Sequence, residues 1–184
     1  MSTQTWLWLA LPVLLIAAGV WIYNRLVADR NLAREGFADI DVQLKRRADL
    51  VPQLVEAVRG YAAYEKSTLT AVTELRASAL GFGPGPAQER FGAERELGAK
   101  LKQLLLLQEN YPQLKADANF RDLSAKLIDT EDQLQHARRF YNGAVNQYRN
   151  RLESFPHVVV ARSFGFEPLP FFETEDRAAV KVAL

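Results

Sequence analysis

Apolar residues recur at the heptad spacing of a packed helix between residues 117 and 156. With Phe120 as heptad position a, the stripe comprises a positions Phe120, Leu127, Leu134, Tyr141 and Tyr148, and d positions Leu123, Thr130, Ala137, Ala144 and Arg151. Such a stripe, about five heptads long, predicts one helix of roughly 50 Å that buries a single face against other helices. Asp117 is suited to cap its N-terminus, and Pro156 predicts its end because proline disfavours helical conformation in the preceding residue.

A second heptad stripe begins at Tyr23. Its a positions are Tyr23, Arg30, Phe37, Leu44, Val51 and Val58, and its d positions are Leu26, Ala33, Ile40, Arg47, Leu54 and Tyr61. Pro52 lies inside this pattern and predicts a bend or a break, with Asp49 capping the second piece, because proline lacks the N–H that a helix interior needs. The helix is expected to resume and to continue to Leu80.

A loop rich in glycine and proline at 81–86 precedes a third predicted helix at 87–110. The leucine run at 104–107 is apolar on every side, which predicts burial on two sides and marks Leu104 and Leu105 as candidate contact residues. After Pro156 we expect an irregular tail, docked on the helices or on a membrane surface to about residue 172 and mobile from 173 to 184.

The first charged residue of the chain is Arg25, and residues 6–23 are an unbroken apolar run. About 18 such residues are enough to cross a hydrocarbon core, and aromatic residues lie at both ends of the run, as in membrane anchors. A cleaved signal peptide is the alternative, but Met1 to Thr5 lacks the basic residues that signal peptides carry. The predicted divisions are a short segment at 1–5, a transmembrane helix at 6–26, a bundle of long helices at 27–156 and a tail at 157–184.

Short connections between long helices favour antiparallel neighbours. The predicted fold class is therefore all-α, with an N-terminal transmembrane helix followed by an antiparallel bundle. Six basic residues follow the span closely, namely Arg25, Arg30, Arg34, Lys45, Arg46 and Arg47. The positive-inside rule then places the N-terminus outside and the soluble part in the cytoplasm of a single-pass protein of the cell membrane, with a periplasmic soluble part as the alternative.

Composition argues against several classes of function. The formal net charge of +1 gives no clustered basic surface for nucleic acid, and a chain with no Cys has neither disulfides nor thiol chemistry. No phosphate-binding loop, zinc-protease motif or di-iron motif is present, so neither a metal nor another cofactor is predicted. Asp132 and His136 share a helix face at i and i+4, and we interpret them as solvent-exposed.

Charged residues within or beside the predicted apolar stripes are the clearest candidates for a functional site. Arg47 occupies a d position, and Glu131 and Arg138 flank the long helix's d residues Thr130 and Ala137. A buried ion-pair network that fixes the register of the helices is the preferred interpretation. A ligand or partner site within the bundle is the alternative. Asn142, Asn146 and Asn150 recur every four residues on one face, where they either bond a partner helix or lie in solvent.

Three stretches of the chain carry a family resemblance. They are residues 38–47 with 49–55; Tyr111-Pro112 with Leu114-Lys115-Ala116; and Thr130-Glu131, Ala137 to Asn142, Val145, Tyr148 and Phe155-Pro156. These motifs resemble the signatures of the LemA family, and the resemblance covers most of the chain, from about Trp21 to Phe172. The resemblance implies a membrane-anchored antiparallel helical domain in bacteria, with no established catalytic residues. It also implies relatives linked to magnetosome formation, and others encoded near small membrane proteins with phosphatase-like domains.

These observations together predict a non-catalytic structural or interaction protein. The apolar leucine run and the Phe-rich tail exceed what three helices can hide, which favours a homo-oligomer over a monomer whose tail covers the leucine helix. The expected partners are the lipid bilayer, further copies of the chain and other bacterial envelope proteins. An enzyme or enzyme regulator with a ligand site inside the bundle is the alternative function.

Overall fold

The computed structural model describes residues 3–61, 66–82 and 88–172, and this part of the chain is helical with no β-strand. Six α-helices run in chain order, interrupted by one short 3-10 turn at Leu107–Glu109. They are α1 (Thr3–Arg59), α2 (Lys66–Gly81), α3 (Gln88–Leu106), α4 (Pro112–Ala116), α5 (Ala118–Glu153) and α6 (His157–Ser163). The all-α class predicted from the heptads is confirmed. The predicted loop at 81–86 and the predicted mobility of 173–184 fall largely or wholly outside the described residues.

The predicted boundaries of α5 agree with the structure because its capping residue works as expected. The Asp117 Oδ1 atom accepts a hydrogen bond of 2.7 Å from the Phe120 backbone N–H, which leaves one fewer open donor in the first turn. Every a position of the stripe is buried, from Phe120 to Tyr148. The heptad pattern therefore identifies the buried face of α5.

Two details of the sequence interpretation are wrong. Pro52 does not split the helix, because α1 continues without interruption to Arg59, and Asp49 accordingly lies inside the helix and caps nothing. The segment after Pro156 is not irregular throughout, because it forms the helix α6 over His157–Ser163.

The chain folds as two compact units. The first comprises Met1–Gly36 with Phe140–Leu169, and the second comprises Phe37–Arg139 with Pro170–Leu184. In the first unit the contacts of α1 run in the order of antiparallel neighbours, since Gly36 lies against Phe140 and Tyr141 whereas Asp29 bonds Gln147 at 3.0 Å and pairs with Arg151. The core of this unit is a cluster of buried residues, Ile22, Leu26, Tyr148, Leu152 and Ala161.

The second unit holds the larger core, to which α1, α2, α3, α4 and α5 all contribute. In this unit too, the chain of α1 and the chain of α5 run in opposite directions. Arg46 of α1 pairs with Asp129 of α5 at 3.5 Å, and Tyr61, just after α1, donates a hydrogen bond of 3.0 Å to Asp117, just before α5. The leucine run at the end of α3 is divided by this core. Leu104 is fully buried and Leu105 packs against the cluster, whereas Leu106 is exposed, so the expected burial on two sides is only partly met.

Candidate functional site: a buried charge network

Arg47 is the largest fully buried side chain of the second unit, and it is charged. Its Nη1 donates to Glu131 Oε1 at 2.9 Å, and its Nη2 donates both to the Glu94 carboxylate and to the Glu94 backbone carbonyl, the latter at 2.8 Å. The side chains of Arg47, Glu94 and Glu131 are 1%, 6% and 32% exposed, respectively. The predicted contact between Arg47 and Glu131 is therefore present, and Glu94 is a second and more deeply buried partner.

Three helices place these groups. Arg47 projects from a d position of α1, Glu94 from the apolar face of α3, and Glu131 from α5. Gly98, one turn after Glu94, makes room for the guanidinium, because a Cβ atom added there would stand 3.1 Å from Arg47 Nη1. A side chain at this position of α3 would crowd a group that two carboxylates hold in place.

Arg138 adds a second positive charge beside the network. Its guanidinium carbon lies 4.5 Å from the ring centroid of Phe172, a cation–π distance, and Phe172 in turn packs on Phe91 with 4.2 Å between ring centroids. Burial is the chief reason that the pKa of Arg138 falls from its ordinary value to about 10, and the like charge of Arg47 lowers it further, against the opposing effects of Glu131 and Glu94. Arg138 thus stays charged at neutral pH, and two positive charges balance two negative ones.

This arrangement pairs its acidic groups with a buried arginine. The carboxylates of Glu94 and Glu131 are occupied by Arg47, and no nucleophilic side chain joins the described network. Within residues 3–61, 66–82 and 88–172, no group of three or more His, Asp or Glu side chains could hold a metal ion. Asp132 and His136 are exposed, and Arg139 bonds His136 Nδ1 at 3.0 Å.

Pro52 acts through a neighbour in the structure rather than through a break in α1. Proline has no N–H to donate to the carbonyl four residues earlier, which belongs to Ala48. Arg76 of α2 fills that role, because its Nε donates to the Ala48 oxygen at 2.7 Å. Pro52 itself is exposed. The carbonyl that it leaves without a helix donor takes part in a hydrogen bond that links α1 to α2.

The remaining predicted residues lie away from this network. Leu104 and Leu105 belong to the apolar core of the second unit, and Tyr141, Asn142 and Tyr148 belong to the first unit. Burial raises the pKa of the Tyr141 hydroxyl, and it also raises that of Tyr148 against the opposing charges of Arg30 and Arg34. The structure therefore brings together Arg47, Glu131 and Arg138, and leaves the others in packing roles.

Two buried carboxylates escaped the sequence interpretation. Glu94 lies three residues after Phe91 and three before Leu97, both of which are buried, so its place on the apolar face of α3 was readable from spacing alone. Asp29 in the first unit is buried between Gln147 and Arg151. Asp29 directly precedes Arg30, an a position of the α1 stripe. The basic residue Arg151, at the last d position of the α5 stripe, was the available signal that an acidic partner lies opposite.

Comparison with known proteins gives one family. The sequence model described as the LemA family matches residues 36–184. Among similar proteins, Magnetosome protein MamQ of Magnetospirillum gryphiswaldense is 22% identical over 194 residues, covering 90% of this chain and 71% of that protein. Magnetosome protein MamQ 2 of Paramagnetospirillum magneticum is 23% identical, with coverage of 88% and 68%. Protein LemA of Metamycoplasma hominis is 23% identical, with coverage of 86% and 72%.

Proposed function

The chain belongs to the LemA family. On this basis we propose that it is a non-catalytic protein anchored in the bacterial cell membrane by α1. The helices of the protein assemble with further copies of the chain and with other envelope proteins. Residues 6–26 form the anchor in this proposal, and residues 27–156 form the helical region that makes the contacts. The soluble part lies in the cytoplasm.

The exposed apolar surface of α1 carries this proposal. Large apolar side chains between residues 11 and 21 are exposed, namely Leu11, Val13, Leu14, Leu15, Ile16, Val20 and Trp21. Of the helices in the described part of the chain, α1 alone is long and apolar enough to cross a membrane. A bilayer solvates such a surface, whereas water does not.

A non-catalytic role is supported by the way in which the buried charges are used. The Glu94 and Glu131 carboxylates both bond Arg47, so the acidic groups of this buried cluster are already engaged within the protein. A catalytic centre needs a group within reach of a substrate, together with a base or a metal. Nothing in the described residues favours the enzymatic alternative over a structural role.

Self-assembly is supported by apolar side chains that the second unit leaves in solvent. Val42, Leu106 and Ile128 are exposed on α1, α3 and α5. Copies anchored in one membrane share an orientation, so their repeated contacts favour a closed ring about the membrane normal. The relatives named as magnetosome proteins are in keeping with a role in organising a membrane assembly.

The mass of the full-length protein in mild detergent tests this proposal. We expect light scattering to give a protein mass above the 20.8 kDa of one chain, and a dependence on concentration that reveals association. A Leu106→Lys variant should reduce that mass and retain its helical circular dichroism. Gln103→Lys adds the same charge at an exposed position of the same helix and serves as the control.

A single-chain mass over a wide range of concentration, with the protein still helical, would contradict self-assembly. Extraction of the protein from membranes by alkaline carbonate would contradict the anchor. These two outcomes are independent, so each part of the proposal is tested separately.

A further inference from the structure

The turn from α5 into α6 exposes large apolar side chains over most of their surface. Phe155, Val159 and Phe164 are 83%, 58% and 65% exposed, and Pro156 is exposed as well. We refer to residues 154–164 as the α5–α6 corner. Exposed apolar side chains grouped within one short segment are characteristic of a contact surface.

The opposite side of the corner is already packed. Ala161 of α6 and Leu152 of α5 are buried with Ile22 and Leu26 of α1. The corner is therefore held by its own apolar contacts, and the outward-facing residues are free to bind something else. A core function does not account for them.

The corner lies beside the end of the apolar run of α1. The Trp21 ring is 6.3 Å from the ring of His157, and the Tyr23 ring is 5.0 Å from that of Phe164 and 5.5 Å from that of Phe166. Tryptophan and tyrosine at the end of a membrane span lie at the level of the lipid headgroups. Ring contacts with Trp21 and Tyr23 thus place the corner at that level too.

The direction of α5 leads to the same conclusion. Within the first unit α5 runs antiparallel to α1, so successive residues of α5 approach the apolar end of α1. The helix ends at Glu153, where continuation would carry it along the lipid-facing part of α1. The chain turns there, and Phe155 stands at the turn.

Charge around the corner also fits a membrane surface. Arg25 of α1 and Arg162 of α6 are exposed, each within three residues of an aromatic ring already mentioned, Tyr23 and Phe164. Exposed arginines beside aromatic and aliphatic groups are typical of interfacial membrane segments. The exposed acidic residues Glu153 and Glu167 also border the corner. Anionic headgroups are the natural partners of these arginines.

We propose that the α5–α6 corner inserts Phe155, Val159 and Phe164 into the interfacial region of the same bilayer that α1 crosses. This inference rests on the proposed anchoring by α1 and adds a second point of attachment. The protein is then held by one helix through the membrane and by one apolar turn at its surface. Such a pair of attachments fixes the tilt of the first unit against the bilayer.

Single-cysteine labelling can test the insertion, because the chain contains no Cys of its own. We would replace Phe155, Val159, Asn146 or Leu14 by Cys, one at a time, and attach an environment-sensitive fluorophore. The full-length proteins would be reconstituted in vesicles of phosphatidylcholine and phosphatidylglycerol, with and without lipids that carry a nitroxide quencher high on the acyl chain. Asn146 is an exposed position of α5 in the same unit and provides the matched control.

We expect blue-shifted emission and a several-fold greater quenching at positions 155 and 159 than at position 146. The fluorophore at position 14 should show the emission of a label in the hydrocarbon core of the bilayer. All four positions are exposed in the protein, so the labels leave the core intact, and circular dichroism verifies the helical content. A Phe155→Glu change in the Val159→Cys protein should shift the emission to the red by withdrawing the corner.

Three results would overturn the insertion. Labels at 155 and 159 that behave like the label at 146, while position 14 reports hydrocarbon, would contradict insertion and leave the anchor intact. Blue-shifted labels at 155 and 159 that lipid nitroxides do not quench would indicate contact with another copy instead of lipid. A label at 14 in water would contradict the anchor itself, and the insertion with it.

Discussion

Arg47 is held by unequal partners, and the inequality predicts unequal effects of mutation. Glu94 is nearly inaccessible to solvent, whereas about a third of the Glu131 side chain is exposed, as the values of 6% and 32% show. Removing one member of a buried ion pair leaves a charge without compensation, which costs about 3–5 kcal/mol. Glu94→Gln should therefore lower the free energy of unfolding by about that amount, and Glu131→Gln by less.

A double-mutant cycle measured by urea unfolding would check this prediction. Arg47→Met with Glu94→Gln should destabilise the protein by less than the sum of the single variants, because neither Arg47 nor Glu94 is then left as an unpaired buried charge, and the Glu131 carboxylate that loses Arg47 is partly exposed to solvent. Additive losses, or a larger loss for Glu131→Gln than for Glu94→Gln, would contradict the arrangement.

The surroundings of Gly98 predict an effect of alanine substitution on stability that differs from the one expected from helix propensity alone. Alanine in place of glycine inside a helix ordinarily raises stability by roughly 0.5–1 kcal/mol. At position 98 the added Cβ atom would come within 3.1 Å of Arg47 Nη1, and the carboxylate partners limit how far that atom can move. Gly92 lies in the same helix with no atom within 4 Å of such a Cβ. Gly92→Ala should raise the melting temperature and Gly98→Ala should not; equal gains would contradict the crowding.

The sequence located part of this network for a physical reason. Heptad spacing assigned Arg47 to a buried seam of α1 and set Glu131 and Arg138 beside the seam of α5, since both helices repeat regularly. The apolar stripe of α3 is less regular, and the position of Glu94 within it does not indicate which basic residue it pairs with. The approach of Phe172 to Arg138 depends on how the chain returns after α6, which periodicity does not specify.

At the scale of elements, the tie between α1 and α2 follows from Pro52. Arg76→Met should destabilise the protein by about 1–3 kcal/mol, because it leaves the Ala48 carbonyl without its side-chain donor. In a Pro52→Ala background the helix supplies its own N–H to that carbonyl, so the same Arg76→Met change should cost less. Thermal unfolding of the four proteins would give the coupling, and equal costs in the two backgrounds would show that Arg76 does not replace a missing helix bond.

The N-terminus of α5 predicts a dependence on pH. The Phe120 N–H, above all, and the Tyr61 hydroxyl bond the Asp117 carboxylate and lower its pKa below the ordinary 3.8. A carboxyl group with a lower pKa in the folded state stabilises the protein above its unfolded pKa, and that stability is lost as pH falls through the folded pKa. Asp117→Asn retains an oxygen to cap the helix but does not titrate.

Unfolding of the wild type and of Asp117→Asn should be compared between neutral pH and pH values below 3.8. We expect a constant difference in unfolding free energy at higher pH, which shrinks as the solution becomes more acidic than the ordinary carboxyl pKa. A difference that does not vary with pH would contradict the assigned role.

Sequence patterns predicted the long elements better than the short ones. α5 and most of α1 repeat an apolar stripe for many turns, which outweighs a single proline. α6 has only seven residues, including three consecutive valines that disfavour isolated helices, and its packing against Ile22 and Leu26 stabilises it. Local helix propensity therefore failed to predict α6, because tertiary contacts determine whether this short segment is helical.

At the scale of the whole molecule, the testable quantity is the side of the membrane on which the helices lie. Basic residues follow the apolar run of α1 from Arg25 onward, which predicts a cytoplasmic soluble part. Ser78 is an exposed position of α2 and suits a Cys substitution in this Cys-free chain. We expect Ser78→Cys to react with a membrane-impermeant maleimide in lysed cells only, and labelling on intact cells would reverse the assigned orientation.

The separation of Arg47 from its partners along the chain has a consequence for biosynthesis. Glu94 is 47 residues and Glu131 is 84 residues further along. At roughly 5–20 residues per second, the ribosome delivers Glu131 some 4–17 s after Arg47. Glu94 is made first, so Arg47 lacks both of its carboxylate partners until α3 is made and lacks the second until α5 is made. The network that joins α1, α3 and α5 is therefore complete only after the ribosome has delivered Glu131.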